Sequence, residues 1–225
     1  MKVMPSVLTN SPEEFSLQMN RLTKYFSYFQ IDIADGQFVP NVTTKIEDIA
    51  LFQRSKILDL RSLMFDFHLM VVDYEKEIEK LVQLSQLIKI NIIFIHHSLR
   101  PNLQKLSQDY PQFSFAPTLD TRDQVEDIKK YYDPKKLQYL QIMTVTPGFQ
   151  GSSFINDSLK KIEHLRLVNY RAKIYIDGAV NDHSIPSIMK LKYQPDFLCP
   201  GSFLSKAENL EERINYLKSQ NLIIA

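Results

Sequence analysis

Short β-type runs and amphipathic stretches alternate regularly along all 225 residues, eight of each. The strand candidates are Lys2 to Leu8, Tyr28 to Ala34, Leu63 to Met70, Ile90 to His97, Ser114 to Thr118, Leu137 to Met143, Ala172 to Asp177 and Asp196 to Cys199. Strands separated by helices pair in parallel through crossovers. Eight such units close into a (β/α)8 barrel; because that fold usually takes about 250 residues, the loops here must be short. The helices carry their own punctuation. Ser11-Pro12-Glu13-Glu14 is a capping box with proline at the first helical position, and Asp73 caps the run Tyr74 to Leu87, where Ile78, Leu81, Val82 and Leu84 form one stripe. The final helix is expected over 207–219, with Leu210, Ile214 and Leu217 on its apolar face. No Pro/Ser-rich linker or change of composition breaks the pattern, which assigns residues 1–225 to a single barrel domain.

Charge and composition exclude several classes. Lys+Arg (27) and Asp+Glu (26) leave a net charge of +1, which argues against an electrostatic nucleic-acid binder. No apolar run approaches the roughly 18 residues of a membrane span, and the first ten residues lack the pattern of a secretory signal, so the chain reads as cytoplasmic. Its one cysteine, Cys199, excludes an internal disulfide and a multi-cysteine zinc site. Any metal must therefore be held by histidine and carboxylates.

In such barrels the chemistry gathers at the C-terminal strand ends. Polar residues fall there repeatedly: Ser6 on the first strand, Gln30 and Asp32 on the second, Asp66 and His68 on the third, His96 and His97 on the fourth, and Asp177 ending the seventh. Alternation puts Gln30, Asp32 and Ala34 on one face, which in a barrel can be the interior face. Asp32, His68 and Asp177 are then expected to meet at the mouth. One histidine with two carboxylates suits a divalent metal, and two carboxylates flanking a substrate suit an acid/base pair; both readings stand. Of His96 and His97, one is expected to pack under the rim and the other to face a helix.

Glycine is scarce, five where an average composition gives roughly sixteen at about 7%. Gly148 and Gly151 follow the sixth strand, Gly178 the seventh, and Gly201 with Ser202 the eighth. Backbone N–H groups of consecutive late loops, with the start of a short helix, form the usual phosphate cradle of a barrel.

Read in order, several segments resemble the signatures of the ribulose-phosphate 3-epimerase family. They are Met4-Pro5-Ser6-Val7-Leu8, Ile31-Asp32-Ile33-Ala34-Asp35-Gly36 with Phe38-Val39-Pro40-Asn41, Asp66-Phe67-His68-Leu69-Met70-Val71, Met143 to Gly151, Ile176-Asp177-Gly178 and Gly201-Ser202. The resemblance implies a single barrel of the ribulose-phosphate-binding type. It implies an isomerase of carbohydrate metabolism, interconverting D-ribulose 5-phosphate and D-xylulose 5-phosphate in the pentose phosphate pathway. Asp32 and Asp177 would exchange the C3 proton from opposite faces of an enediolate. A divalent ion (Zn, Fe, Mn or Mg) would be held by Asp32, His68, Asp177 and the residue at position 30. Ser6 and His68 would touch the sugar, Met70 and Met143 would wall it, and Gly148, Gly151, Gly178, Gly201 and Ser202 would hold its phosphate. A homo-oligomer is implied as well.

The departures are specific. Gln30 stands where the family has a histidine ligand, Ala34 where it has methionine, Gln37 where it has histidine, and Ala179 where a second glycine is common. Thr118-Leu119, Thr146 and Gln150 depart too. An amide oxygen is a poorer zinc ligand than imidazole. Two alternatives follow: an epimerase of another ketose phosphate, such as a hexulose 6-phosphate, or a catalytically weak paralogue that binds phosphosugars.

Overall fold

The computed structural model describes residues 1–55, 59–147 and 152–225. Its strands are β1 (Lys2–Val3), β2 (Ser6–Val7), β3 (Tyr28–Ala34), β4 (Met64–Met70), β5 (Lys89–His96), β6 (Ser114–Leu119), β7 (Tyr139–Met143), β8 (Lys173–Asp177), β9 (Phe197–Cys199) and β10 (Ile223–Ile224). The α-helices among the described residues are α1 (Pro12–Leu22), α2 (Ile46–Ser55), α3 (Tyr74–Leu84), α4 (Leu103–Asp109), α5 (Val125–Tyr131), α6 (Lys160–Leu167), α7 (Ile185–Met189), α8 (Ser202–Ser205) and α9 (Leu210–Ser219). Every named strand pairing is parallel; from β2 to β9 each strand pairs with the next in chain order, and β1 pairs with β9, giving the (β/α)8 barrel. No helix among the described residues is long and apolar enough to cross a membrane.

The expected first strand is divided. Its lower half pairs with β9 and its upper half with β3, and between them Pro5, which has no N–H to give, accepts from Gln30 N at 2.9 Å. Covalent continuity through Met4 and Pro5 thus closes the sheet. β10 was not expected; two residues give no periodicity to read. It pairs with β1 at the foot of that seam, where Ser27 N donates to Ala225 O at 3.1 Å.

The caps match the local sequence chemistry. Ser11 Oγ accepts from Glu14 N at 3.2 Å, while the Glu14 carboxylate takes Asn10 N at 2.8 Å. Asp73 caps α3 through Lys76 N, and that helix stops at Leu84, three residues short of the expected end. The last helix starts at Leu210 rather than 207, because Asn209 caps it through Glu212 N.

Both strand faces are buried, which explains the near-continuous apolar runs. Outward residues such as Phe29, Ile31, Phe65, Phe67, Ile93 and Ile95 pack beneath the helices in the main core. Inside the barrel, Met4, Ile92, Phe94, Ala116, Tyr175, Phe197 and Cys199 form a separate cluster, with the Tyr175 and Phe197 rings stacked at 4.3 Å. Above this apolar floor the inward positions turn polar: Gln30, Asp32, His68, His96, Thr118, Gln141 and Asp177, none more than 6% exposed.

Candidate active site

The polar layer is built by register. Asp32 lies beside His68 across β3 and β4, Thr118 beside Gln141 across β6 and β7, and Asp177 beside Cys199 across β8 and β9. His68 Nδ1 sits 3.2 Å from Asp32 Oδ1 and 3.4 Å from Asp177 Oδ2. The imidazole thus bridges the two carboxylates. From beneath, Gln30 Nε2 donates to Asp32 Oδ1 at 3.0 Å and to Asp177 Oδ2 at 2.7 Å. Gln141 Nε2 adds another donor to Asp177 Oδ2, also at 2.7 Å.

Burial raises the Asp32 carboxyl to about 6, helped by the nearby charge of Asp177 and opposed by hydrogen bonds from His68 and Gln30. For His68, burial alone would depress the imidazolium; hydrogen bonds to Asp177 and Asp32, and their charges, hold it up at about 9. The raised pKa favours the imidazolium, an arrangement that depends on His68 reaching both carboxylates.

On its other side His68 Nε2 lies 2.9 Å from His96 Nε2, and His96 Nδ1 lies 3.3 Å from Asp120 Oδ2. Burial lowers the His96 pKa, so this imidazole is the neutral acceptor of the pair. Of the two adjacent histidines, His96 is fully buried inside the barrel against His68, and His97 faces α5 through Tyr131 and the adjacent Tyr132, as expected for one under the rim and one against a helix. Strand alternation from Ile92 and Phe94 carries the signal for His96. The same alternation marks Gln141, two residues before Met143, and Thr118, two after Ala116.

A cavity of about 40 Å³ opens above this layer. Of the residues singled out from the sequence, Ser6, Asp32, His68, Met70, Met143, Asp177, Gly178, Gly201 and Ser202 line it. Gln30 is one layer lower and completely buried; Gly148 and Gly151 lie outside the described residues. Gly178 has φ +113°, and a Cβ there would come 2.5 Å from Val145 Cγ2 and 2.9 Å from Val145 N. Only glycine fits where this loop passes Val145. The next residue, Ala179, takes the left-handed conformation at φ +49°. A groove of about 620 Å³ between α4 and α5 is larger, but it lies away from the convergent aspartates and histidines.

Asp32, His68 and Asp177 each place one ligand atom within 4.8 Å of the others. Two carboxylates and an imidazole form a donor set that fits a divalent transition metal. The fourth expected donor, Gln30, faces the carboxylates with its N–H side in this structure, while its Oε1 accepts from Gln141 Nε2 at 3.2 Å.

A closed parallel barrel with a buried carboxylate pair and a cavity at its strand ends defines a (β/α)8 enzyme. Comparison with known proteins narrows this class. The chain belongs to the ribulose-phosphate 3-epimerase family, whose family model matches residues 2–203, and it is accordingly an isomerase of the epimerase type. It is 26% identical over 220 residues to a ribulose-phosphate 3-epimerase of Schizosaccharomyces pombe, covering 97% of this chain and 92% of that one. Against the Aquifex aeolicus ribulose-phosphate 3-epimerase it is 29% identical over 194 residues, covering 84% and 82%. Among solved structures, 3-hexulose-6-phosphate synthase from Salmonella typhimurium superposes with TM-score 0.65 at 10% identity over 98% of both chains. A tryptophan synthase α-subunit from Pyrococcus furiosus gives 0.64 at 10% identity, over 97% and 95%. At such identities these two likenesses show the barrel alone.

Proposed function

We propose that this chain interconverts D-ribulose 5-phosphate and D-xylulose 5-phosphate, with one of Asp32 and Asp177 removing the C3 proton as base and the other delivering its own proton to the opposite face as acid. The observation that carries the reading is the convergence of these two aspartates, from strands 3 and 8, on one narrow cavity at the barrel mouth. Epimerisation needs a proton removed from one face and returned to the other, hence one base and one acid of similar strength. A carboxyl raised to about 6 by burial is suited to take a proton near neutrality and give it back. Membership of the family and the names of the relatives support the substrate.

The remaining residues follow from position. His68 sits between the aspartates and keeps them oriented; Met70 and Met143 exclude water from the reacting carbons; Ser6 reaches the sugar hydroxyls. The Gly178 loop and the start of α8 at Ser202 turn backbone toward the phosphate. A divalent metal held by Asp32, His68 and Asp177 supplies stabilisation for the negative charge that develops as the proton leaves.

The test is a coupled assay of D-ribulose 5-phosphate turnover on chelator-treated protein, with zinc, manganese, iron(II) or magnesium added singly. Metal-dependent turnover, abolished by Asp32→Asn and by Asp177→Asn, is the expected result. Turnover of a hexulose 6-phosphate in its place reassigns the substrate. Binding of sugar phosphate without turnover under any metal overturns the reading in favour of a non-catalytic binder.

A further inference from the structure

Beneath the mouth, three side chains that touch no solvent settle which way the Gln30 amide can face. Asp177 Oδ2 lies 2.7 Å from one end of Gln30 and 2.7 Å from one end of Gln141. A carboxylate oxygen accepts, so both ends must be NH2 groups. The far end of Gln141 is then its carbonyl, and it meets Thr118 Oγ1 at 3.0 Å, whose hydroxyl donates. The carbonyl of Gln30 receives the second N–H of Gln141 at 3.2 Å. Gln30, Thr118 and Gln141 are all completely buried, so no water can replace a lost partner.

Turning Gln30 to offer its oxygen to a metal breaks this chain. Its NH2 would face that of Gln141, donor against donor. If Gln141 turned in compensation, its carbonyl would face the Asp177 carboxylate, acceptor against acceptor. The network has one consistent direction, and in it Gln30 gives protons.

We propose that Gln30 serves as a hydrogen-bond donor bridging Asp32 and Asp177, locked in that orientation by Gln141 and Thr118, so that a metal taken up by this site has three protein ligands and an open position. Gln30 and Gln141 are positioning residues. Three protein ligands with a free coordination position is the arrangement of catalytic rather than structural metal sites. The inference rests on the reading that Asp32, His68 and Asp177 hold a divalent metal; it corrects the sequence-based expectation that Gln30 is the fourth ligand.

The experiment is Co2+ titration of the chelator-treated full chain, read by the visible d–d absorption, which responds to ligand number and geometry. Gln30→His, which supplies a true fourth donor, marks what a gained ligand looks like. The wild type and Gln30→Met should give matching spectra, and Gln141→Met, which frees Gln30 to turn, should move the spectrum toward that of Gln30→His. A Gln30→Met spectrum displaced from wild type by more than half the Gln30→His displacement overturns the proposal. So does an unchanged Gln141→Met spectrum, which decides the matter alone if Gln30→Met does not fold. A band seen only in Gln30→His, or in no variant, also overturns it, since three ligands then do not hold the ion. Turnover of D-ribulose 5-phosphate is scored separately: the spectral pattern without turnover keeps this inference and removes the epimerase reading, and turnover with a displaced Gln30→Met spectrum does the reverse.

Discussion

The barrel interior holds two buried carboxylate clusters, one near each end, and they share a strand: Asp66 and His68 stand two residues apart on the same face of β4. At the lower end Asp66, with no exposure, receives the Tyr28 hydroxyl at 2.8 Å and Ile92 N at 2.9 Å, while Asn91 Nδ2 backs Tyr28 at 2.6 Å. Burial drives its carboxyl up to about 8, against the pull of those hydrogen bonds, so it is mostly protonated at neutral pH. At the upper end Asp32 and Asp177 share a protonated histidine and face a cavity. One carboxyl is held neutral by neutral partners in a sealed layer; the other two are kept available by a cation and amide donors at an opening. Depth in the barrel, more than residue type, separates a carboxyl sealed in packing from one that faces an opening.

The comparison breaks most sharply on activity. Asp177→Asn should lower turnover of the sugar phosphate by about 10²–10⁴-fold, the usual contribution of a positioned acid or base. Asp66→Asn should leave kcat within about tenfold, since it touches nothing at the mouth. An equal loss in both would mean that the lower cluster belongs to the chemistry. Next in size is the contact behind His68. His96→Leu removes the partner of His68 Nε2 and should weaken metal binding by about 10–100-fold, as loss of a partner behind a ligand does; competition with a chelating dye measures it. Asp66→Asn should in turn cost about 1–3 kcal/mol, a strained or unmade buried hydrogen bond. At this chain length that lowers Tm by about 2–4 °C for each kcal/mol.

A further test separates the clusters by pH. Asp66 and Asp32, at about 8 and 6, and His68, at about 9, all bind protons more tightly in the folded chain than their ordinary values allow. The folded state then holds more protons than the unfolded one, and stability falls as pH rises. For the carboxyls the loss begins above the unfolded value near 3.8 and is complete beyond 6 and 8; for His68 it runs from 6.5 to above 9. Metal-free protein should therefore lose Tm between pH 6 and 9. Asp66→Asn should flatten the part below pH 8, and His68→Gln the part above it. A flat wild-type profile over this window contradicts both assignments.

The barrel itself was legible because alternation of strand and helix is a statement about the whole chain, and the caps at Ser11 and Asp73 are local chemistry. Asp32, His68 and Asp177 could be read because polar groups at strand ends need a reason. What escaped was longer in range. The break at Pro5 follows from two different neighbours claiming the halves of one strand, and β10 from a partner more than two hundred residues away in sequence. Gln141 passed for an ordinary strand residue and Thr118 only for a departure from the family pattern, because nothing nearby in sequence shows that they hold Gln30, on the far side of the barrel. The direction of an amide is a property of its partners.

Cys199, the one thiol in the chain, stands beside Asp177 with 1% of its surface exposed, and burial holds its pKa well above the usual thiol range. It lines the same cavity as the aspartates. An alkylating reagent can reach it only when the mouth breathes, so the labelling rate is a clock for opening events. When opening and closing are fast, that rate reports the population of the open form. A sugar phosphate lodged above Asp177 should slow the clock, which makes site occupancy readable in a single mass shift without any catalysis.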